Sequence, residues 1–203
     1  MAFLEPSAAV DLLSLSPCLT ISRVRAMDFD RKHPLASGRD ICERLAKEPR
    51  RFFSNMPRSG GLEAPAVFLL MVLGVAAVKP LLTLGPFAAV GFIVVGAVRA
   101  VLVCGTVVLI ARFIFETSVD SEEAFRVVAY ASAPAMAWVL PLVGPLSTLL
   151  VLYLLWWGVR ELLQTDGLEA MMLVAIVVIV VSAVSLTLES PGLAMLINPL
   201  YSG

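Results

Sequence analysis

Arg99 is the residue most able to do chemistry in this sequence. It sits inside a long apolar run, Phe87 to Phe115. A guanidinium held at membrane depth normally faces a bundle interior or a water-filled cavity. There it could bind an anion or line a pore for a small solute; it could also snorkel to the interface. The acidic residues are a second group. Glu122-Glu123 and the set Glu161, Asp166, Glu169 have the residue types of paired acids or metal ligands. They fall at expected helix ends beside Arg126 and Arg160, so solvated interfacial charge is the simpler reading. His33 is the one histidine and lies in a polar segment. Cys18, Cys42 and Cys104 have neither metal-type spacing nor a disulfide framework. The sequence has no G-x-S-x-G elbow, P-loop, H-E-x-x-H or C-x-x-C pair. A serine–histidine protease inside the membrane is hard to build when the histidine lies outside every span. The chain therefore reads as non-enzymatic, with no cofactor and no metal.

The elements that would position these residues follow from composition. Of 203 residues, 59% are hydrophobic and 15% charged, with a mean hydropathy of +0.91. A soluble fold of this size leaves too much surface exposed to hide that apolar content, so the expected solvent is a bilayer. The fold class is all-α, a polytopic bundle of about five transmembrane helices. A span needs about 20 apolar residues to cross a core of about 30 Å. The first runs from Ala64 to about Leu84, with Lys79-Pro80 near its far end and Gly85-Pro86 as a turn. The second, Phe87 to Phe115, would be about 43 Å long, so it tilts or projects. One central arginine costs about 2.5–3.5 kcal/mol of insertion, and each central Val, Leu, Ile or Phe returns about 0.3–0.6. The apolar residues around Arg99 therefore win.

Glu116 to Glu123 forms an acidic connection, and Val127 to Val159 then holds no charge at all. That stretch is too long for one crossing. Pro141, Gly144 and Pro145 divide it into a third span, Ala124–Leu140, kinked at Pro134, and a fourth, Leu146–Leu163. Asp166-Gly167 is a turn, Ala170–Leu188 a fifth span, and Glu189-Ser190-Pro191 its end. Gly91, Gly96, Ala97, Ala100 and Gly105 give the second span small residues suited to close helix packing. Trp138, Trp156 and Trp157 fall near the expected interfaces, as aromatic belts do.

Three regions result: a basic amino-terminal segment over residues 1–62, the membrane domain over 63–190, and a short tail over 191–203. Residues 1–26 lack the basic leader of a secretory signal, and Met27 is an alternative biological start. Asp40 to Lys47 is expected as a short helix with Ile41, Leu45 and Cys42 on one face, limited by Pro49. Arg50-Arg51-Phe52-Phe53 has the residue types of a segment lying at the lipid headgroups. Ten of the 15 lysines and arginines precede the first span. The positive-inside rule then places the amino terminus in the cytoplasm. A net charge of −1 points to no nucleic-acid partner.

Three segments in order carry a resemblance. They are Glu48-Pro49-Arg50-Arg51-Phe52-Phe53 with Met56 and Gly60-Gly61, then Phe125 to Pro134, then Trp157-Gly158-Val159-Arg160-Glu161-Leu162 followed by Asp166-Gly167-Leu168. Together they resemble the Yip family of Ypt/Rab-interacting membrane proteins, in its prokaryotic branch, over about residues 45–188. The resemblance implies a five-span helical fold with a cytoplasmic amino-terminal region, in a bacterial inner membrane. Tyr130, Pro134, Trp157, Gly158 and Glu161 match its pattern and read as architectural. Eukaryotic members bind prenylated GTPases and each other; the short amino-terminal region here does not carry GTPase binding across. The expected function is a membrane scaffold or adaptor acting through helix packing, with lipids and protein partners or self-association. The alternative is a small-solute or anion transporter using Arg99. A third is a membrane-shaping protein whose Arg50–Met56 segment reads anionic lipids.

Overall fold

The computed structural model describes residues 29–30, 32–58, 60–140 and 143–188. These form helices α1 (Pro34–Lys47), α2 (Pro49–Ser54), α3 (Glu63–Ala76), α4 (Val78–Leu84), α5 (Pro86–Phe113) and α6 (Ser121–Ala131). A 3-10 helix (Ala133–Val139), α7 (Gly144–Leu163) and α8 (Gly167–Leu188) follow. Among the described residues there is no strand. The segment 1–26, the alternative start at Met27 and the tail 191–203 lie outside the described residues.

Among the described residues, four helices are long and apolar enough to cross a membrane: Glu63–Leu84, Pro86–Phe113, Leu146–Leu163 and Gly167–Val184. The first joins α3 to α4 with little interruption, since Leu81 N still donates to Ala77 O at 2.9 Å. Pro80 falls in the first turn of α4, where a helix has unpaired N–H groups anyway and the missing donor is harmless. Gly85 then turns the chain at φ +94°, a conformation that disfavours a Cβ, and Pro86 opens α5.

At 28 residues, α5 is about 42 Å long, more than a bilayer core requires. Thr117 N donates back to Ala111 O at 3.1 Å, and Cys104 Sγ donates to Ser121 O at 3.6 Å. The connection thus doubles back along the last turns of α5, and α6 starts level with Cys104.

The third expected span differs from the others in kind. Instead of one kinked helix over Ala124–Leu140, the α-helix ends at Ala131 and continues as a 3-10 helix from Ala133 to Val139. Pro134 has no N–H to extend the α ladder, and its ring crowds the preceding turn. Ser132 Oγ donates to Ala129 O at 2.6 Å where the helix type changes. The two pieces still run about 30 Å end to end, at about 1.5 and 2.0 Å per residue. At the start, Glu122 and Arg126 meet Gly61, just before α3. At the finish, the Trp138 ring lies 5.7 Å from Lys79 Nζ. The segment therefore runs beside α3 and α4, in addition to the four apolar helices. Its residues Ala124 and Arg126 to Ala131 are buried, so protein rather than lipid surrounds most of α6. Non-α backbone at membrane depth is tolerated where protein covers it.

The amino-terminal helices are part of the same body. Ile41 and Leu45 are buried and Cys42 half-buried, on the face expected for α1. The helix starts earlier than expected, with Pro34 in its first turn. Pro49 does not merely stop it, but opens α2 after the non-helical Glu48.

Candidate functional site

The amino-terminal end of the bundle gathers most of the residues that the sequence singles out. In the six-residue α2, Arg50 and Arg51 are exposed while Phe52 and Phe53 are buried. Phe52 meets Tyr130 edge-on at 5.5 Å, and Phe68 lies 5.1 Å from the same ring. Phe29 extends the series, 5.7 Å from Phe68. Phe53 enters the cleft between α6 and α7 at Gly158. A Cβ there would collide with Val127 Cγ1 and lie 3.2 Å from Phe53 Cε1. This corrects the expectation of a lipid-facing aromatic pair. Each phenyl ring offers a large apolar area, and the cleft that Gly158 leaves open buries it more fully than a wet headgroup layer would.

The polar half of the site lies outside this aromatic seam. Arg50 Nε donates to Glu161 Oε1 at 3.2 Å, and its guanidinium lies 6.0 Å from the Trp157 ring. Arg160 stands 5.8 and 5.2 Å from the Trp156 and Trp157 rings. Trp156 Nε1 donates to Gly167 O at 2.9 Å, tying α7 to the start of α8. Beside these groups is a cavity of about 260 Å³. Its walls come from α2 and the following loop (Phe53, Ser54, Met56, Arg58), from α6 (Glu123, Val127) and from the end of α7 (Gly158, Glu161, Leu162, Gln164). Glu123 and Glu161 keep only 17% and 23% side-chain exposure. Arg58 Nε stands 3.8 Å from Glu123 Oε1, an ion pair too long for a hydrogen bond.

One residue that the sequence reads as a solvated charge at a helix end is buried instead. Arg126 is 0% exposed. Its Nη2 donates to Gly61 O at 2.8 Å and to Glu122 Oε1 at 3.3 Å, and Glu122 Oε1 also accepts from Gly61 N at 2.6 Å. This charge-assisted clamp pins the Gly60-Gly61 loop, which carries φ values of +149° and +86°, between α2 and α3. The available signal was Glu122 four residues before Arg126, opposite charges on one helix face.

Other expected residues lie elsewhere. Arg51 points outward and pairs with Glu48 at 3.1 Å. Pro134 sits at the start of the 3-10 helix. Arg99 is on the exposed face of α5 and does not line the cavity. His33 is exposed, 3.2 Å from Asp30. Among the described residues, no three His, Cys, Asp or Glu side chains converge as metal ligands, and Glu161 turns to Arg50 instead of Asp166 and Glu169. Burial pushes the Cys42 thiol pKa up. The 2.6 Å bond from Lys47 Nζ to Glu43 lowers the carboxyl pKa and raises that of the ammonium.

The family model of the Yip1 domain matches residues 44–188. The chain belongs to the Yip1 family. No curated protein and no solved structure matches the chain. The Yip1 domain begins within α1 and ends with α8, so α2 and its aromatic seam belong to the domain along with the four apolar helices. Tyr130, Trp157, Gly158 and Glu161, separated in sequence, meet at one end of the Yip1 domain around α2.

Proposed function

We propose that this Yip1-domain protein is a non-enzymatic membrane scaffold or adaptor, whose docked amino-terminal helices present a face to protein partners or to a second copy. The observation that carries this reading is the seating of Phe52 and Phe53 against Tyr130 and Gly158. A basic juxtamembrane linker would be flexible; this one is anchored by buried rings. Its outward side carries the Arg44–Asp40, Lys47–Glu43 and Arg51–Glu48 pairs. Such pairs add little stability, but exposed charges of both signs favour specificity and rapid encounter.

The face lies in the cytoplasm on this reading. Ten of 15 lysines and arginines precede the first span, and Arg126 and Arg160 lie at the same end of the bundle, while Lys79 lies at the other. That asymmetry is the basis of the positive-inside rule. Resemblance to the prokaryotic branch supports a bacterial inner membrane.

The test is site-specific photo-crosslinking in native membranes, with the probe at Lys47 or Arg51. A discrete crosslinked protein or a dimer is expected, and it should be lost in the Phe52→Ala, Phe53→Ala double variant. Finding no adduct at either position, from a protein shown to be folded and inserted, would refute the docking role.

A further inference from the structure

We propose that the cavity at the end of α7 is a headgroup site for an amine-bearing phospholipid of the phosphatidylethanolamine type. The ammonium lies against Glu123 and Glu161, and the phosphate against Arg58. The site is separate from the outward charge pairs of α1 and α2, and the inference does not depend on partner docking.

Position is the first argument. Tyr153, Trp156 and Trp157 form an aromatic cluster on α7, with ring centroids 4.8 to 6.5 Å apart. Tyrosine and tryptophan collect at headgroup depth. Leu146, Leu149 and Leu150, earlier on the same helix, are exposed apolar residues. Of the cavity wall, Gly158 follows Trp157 directly, and Glu161 and Leu162 are one turn further on. The cavity therefore lies at the depth of the headgroups, on the side of α7 that faces α2 and α6.

Charge selects the ligand. The walls hold two carboxylates and one guanidinium, and Arg50 holds Glu161 at 3.2 Å. An anionic headgroup without an amine would face both carboxylates. A lone cation would leave Arg58 unused. A zwitterion with its ammonium a few bonds from its phosphate engages both signs. Hydrogen bonding narrows the choice further. The Glu123 carboxylate is largely buried, yet Arg58 approaches only to 3.8 Å, leaving room for a donor. A primary ammonium brings three donors, whereas a trimethylated amine brings none.

Size and floor agree. A volume of about 260 Å³ lies just under the range of about 300–1,000 Å³ for small-molecule pockets, suited to a headgroup and not a whole lipid. Phe53, Met56 and Val127 give an apolar floor for the glycerol end. The missing side chain at Gly158 keeps Phe53 and Val127 close to α7 along that floor.

The experiment is native mass spectrometry of the full chain in mild detergent with an equimolar mixture of short-chain phosphatidylethanolamine, phosphatidylcholine and phosphatidylglycerol. The parent should retain the ethanolamine lipid about tenfold over the other two, the worth of one charge-assisted hydrogen bond. Glu123→Gln should reduce that preference to near parity, and Arg99→Gln should leave it intact. Equal retention of all three lipids by the parent overturns the proposal, and this arm needs no variant to fold. Soluble phosphoethanolamine should compete poorly at equal concentration. If it displaces the lipid fully, the ligand is the free ester and the lipid assignment falls.

Discussion

Arg99 and Arg126 occupy neighbouring passes of the same bundle under opposite conditions. Arg99 projects from the exposed face of α5, the longest and among the most apolar of the helices. Arg126 sits on α6, a short helix with a polar start, and is 0% exposed. The difference teaches where a charge can be kept. On an outer helix a long side chain can run along the surface towards the interface. An inner position demands hydrogen-bond partners within reach, which Gly61 and Glu122 supply. The two helices differ in the same sense throughout. Exposed Val90, Val94, Val98 and Val101 give α5 a lipid-facing surface, whereas the run from Val127 to Ala131 in α6 is wholly buried.

Substitutions on the inner pass should therefore dominate. Tyr130→Ala removes the ring that Phe52 and Phe68 contact and should lower stability by about 3–5 kcal/mol, read by denaturant titration in detergent. Arg126→Ala leaves Glu122 and the Gly61 carbonyl without their cation. It should lower stability by about 3 kcal/mol, with trypsin cutting sooner at Arg58 in the loosened loop. Gly158→Val forces a side chain into Val127 and Phe53, an overpacking of about 1–3 kcal/mol that lifts α2 off the bundle. Arg99→Gln, on the exposed face of the outer pass, should cost no more than about 1 kcal/mol. If it destabilises more than Arg126→Gln does, the inner–outer contrast is wrong.

The smallest effect concerns Cys42. Burial raises its thiol pKa, so less of the reactive thiolate is present at neutral pH than for a free cysteine. Alkylation, followed on the Cys42 peptide by mass spectrometry, should be slower than for an unstructured cysteine peptide and should accelerate as pH rises. In Gly158→Val it should move towards the free rate, because detaching α2 also loosens α1.

Much of the fold was legible because lipid imposes a simple rule on backbone hydrogen bonding. Long uncharged runs must be helices, and Gly85-Pro86 and Asp166-Gly167 mark where they turn. The face of α1 could also be read, since Ile41 and Leu45 follow helical spacing. The third pass was less legible. Pro134 announces a break, but whether the chain kinks or changes helix type depends on the neighbours that cover it. At the site, the residues of the three resembling segments were visible one segment at a time. Nothing local showed that Phe53 would meet Gly158, or that Arg50 would pair with Glu161.

By itself the sequence determined that the chain is helical, lies in a membrane and turns where glycine and proline stand, because these follow from hydropathy and the backbone's need for partners. Only the tertiary structure decided which arginine is inside, where the paired phenylalanines go and that two acids share a cavity. Which face a helix buries depends on the surfaces that close around it, and those surfaces come from residues far apart in the chain. Local composition puts Arg99 deep in an apolar run and Arg126 at a helix end, yet packing leaves Arg99 exposed and buries Arg126.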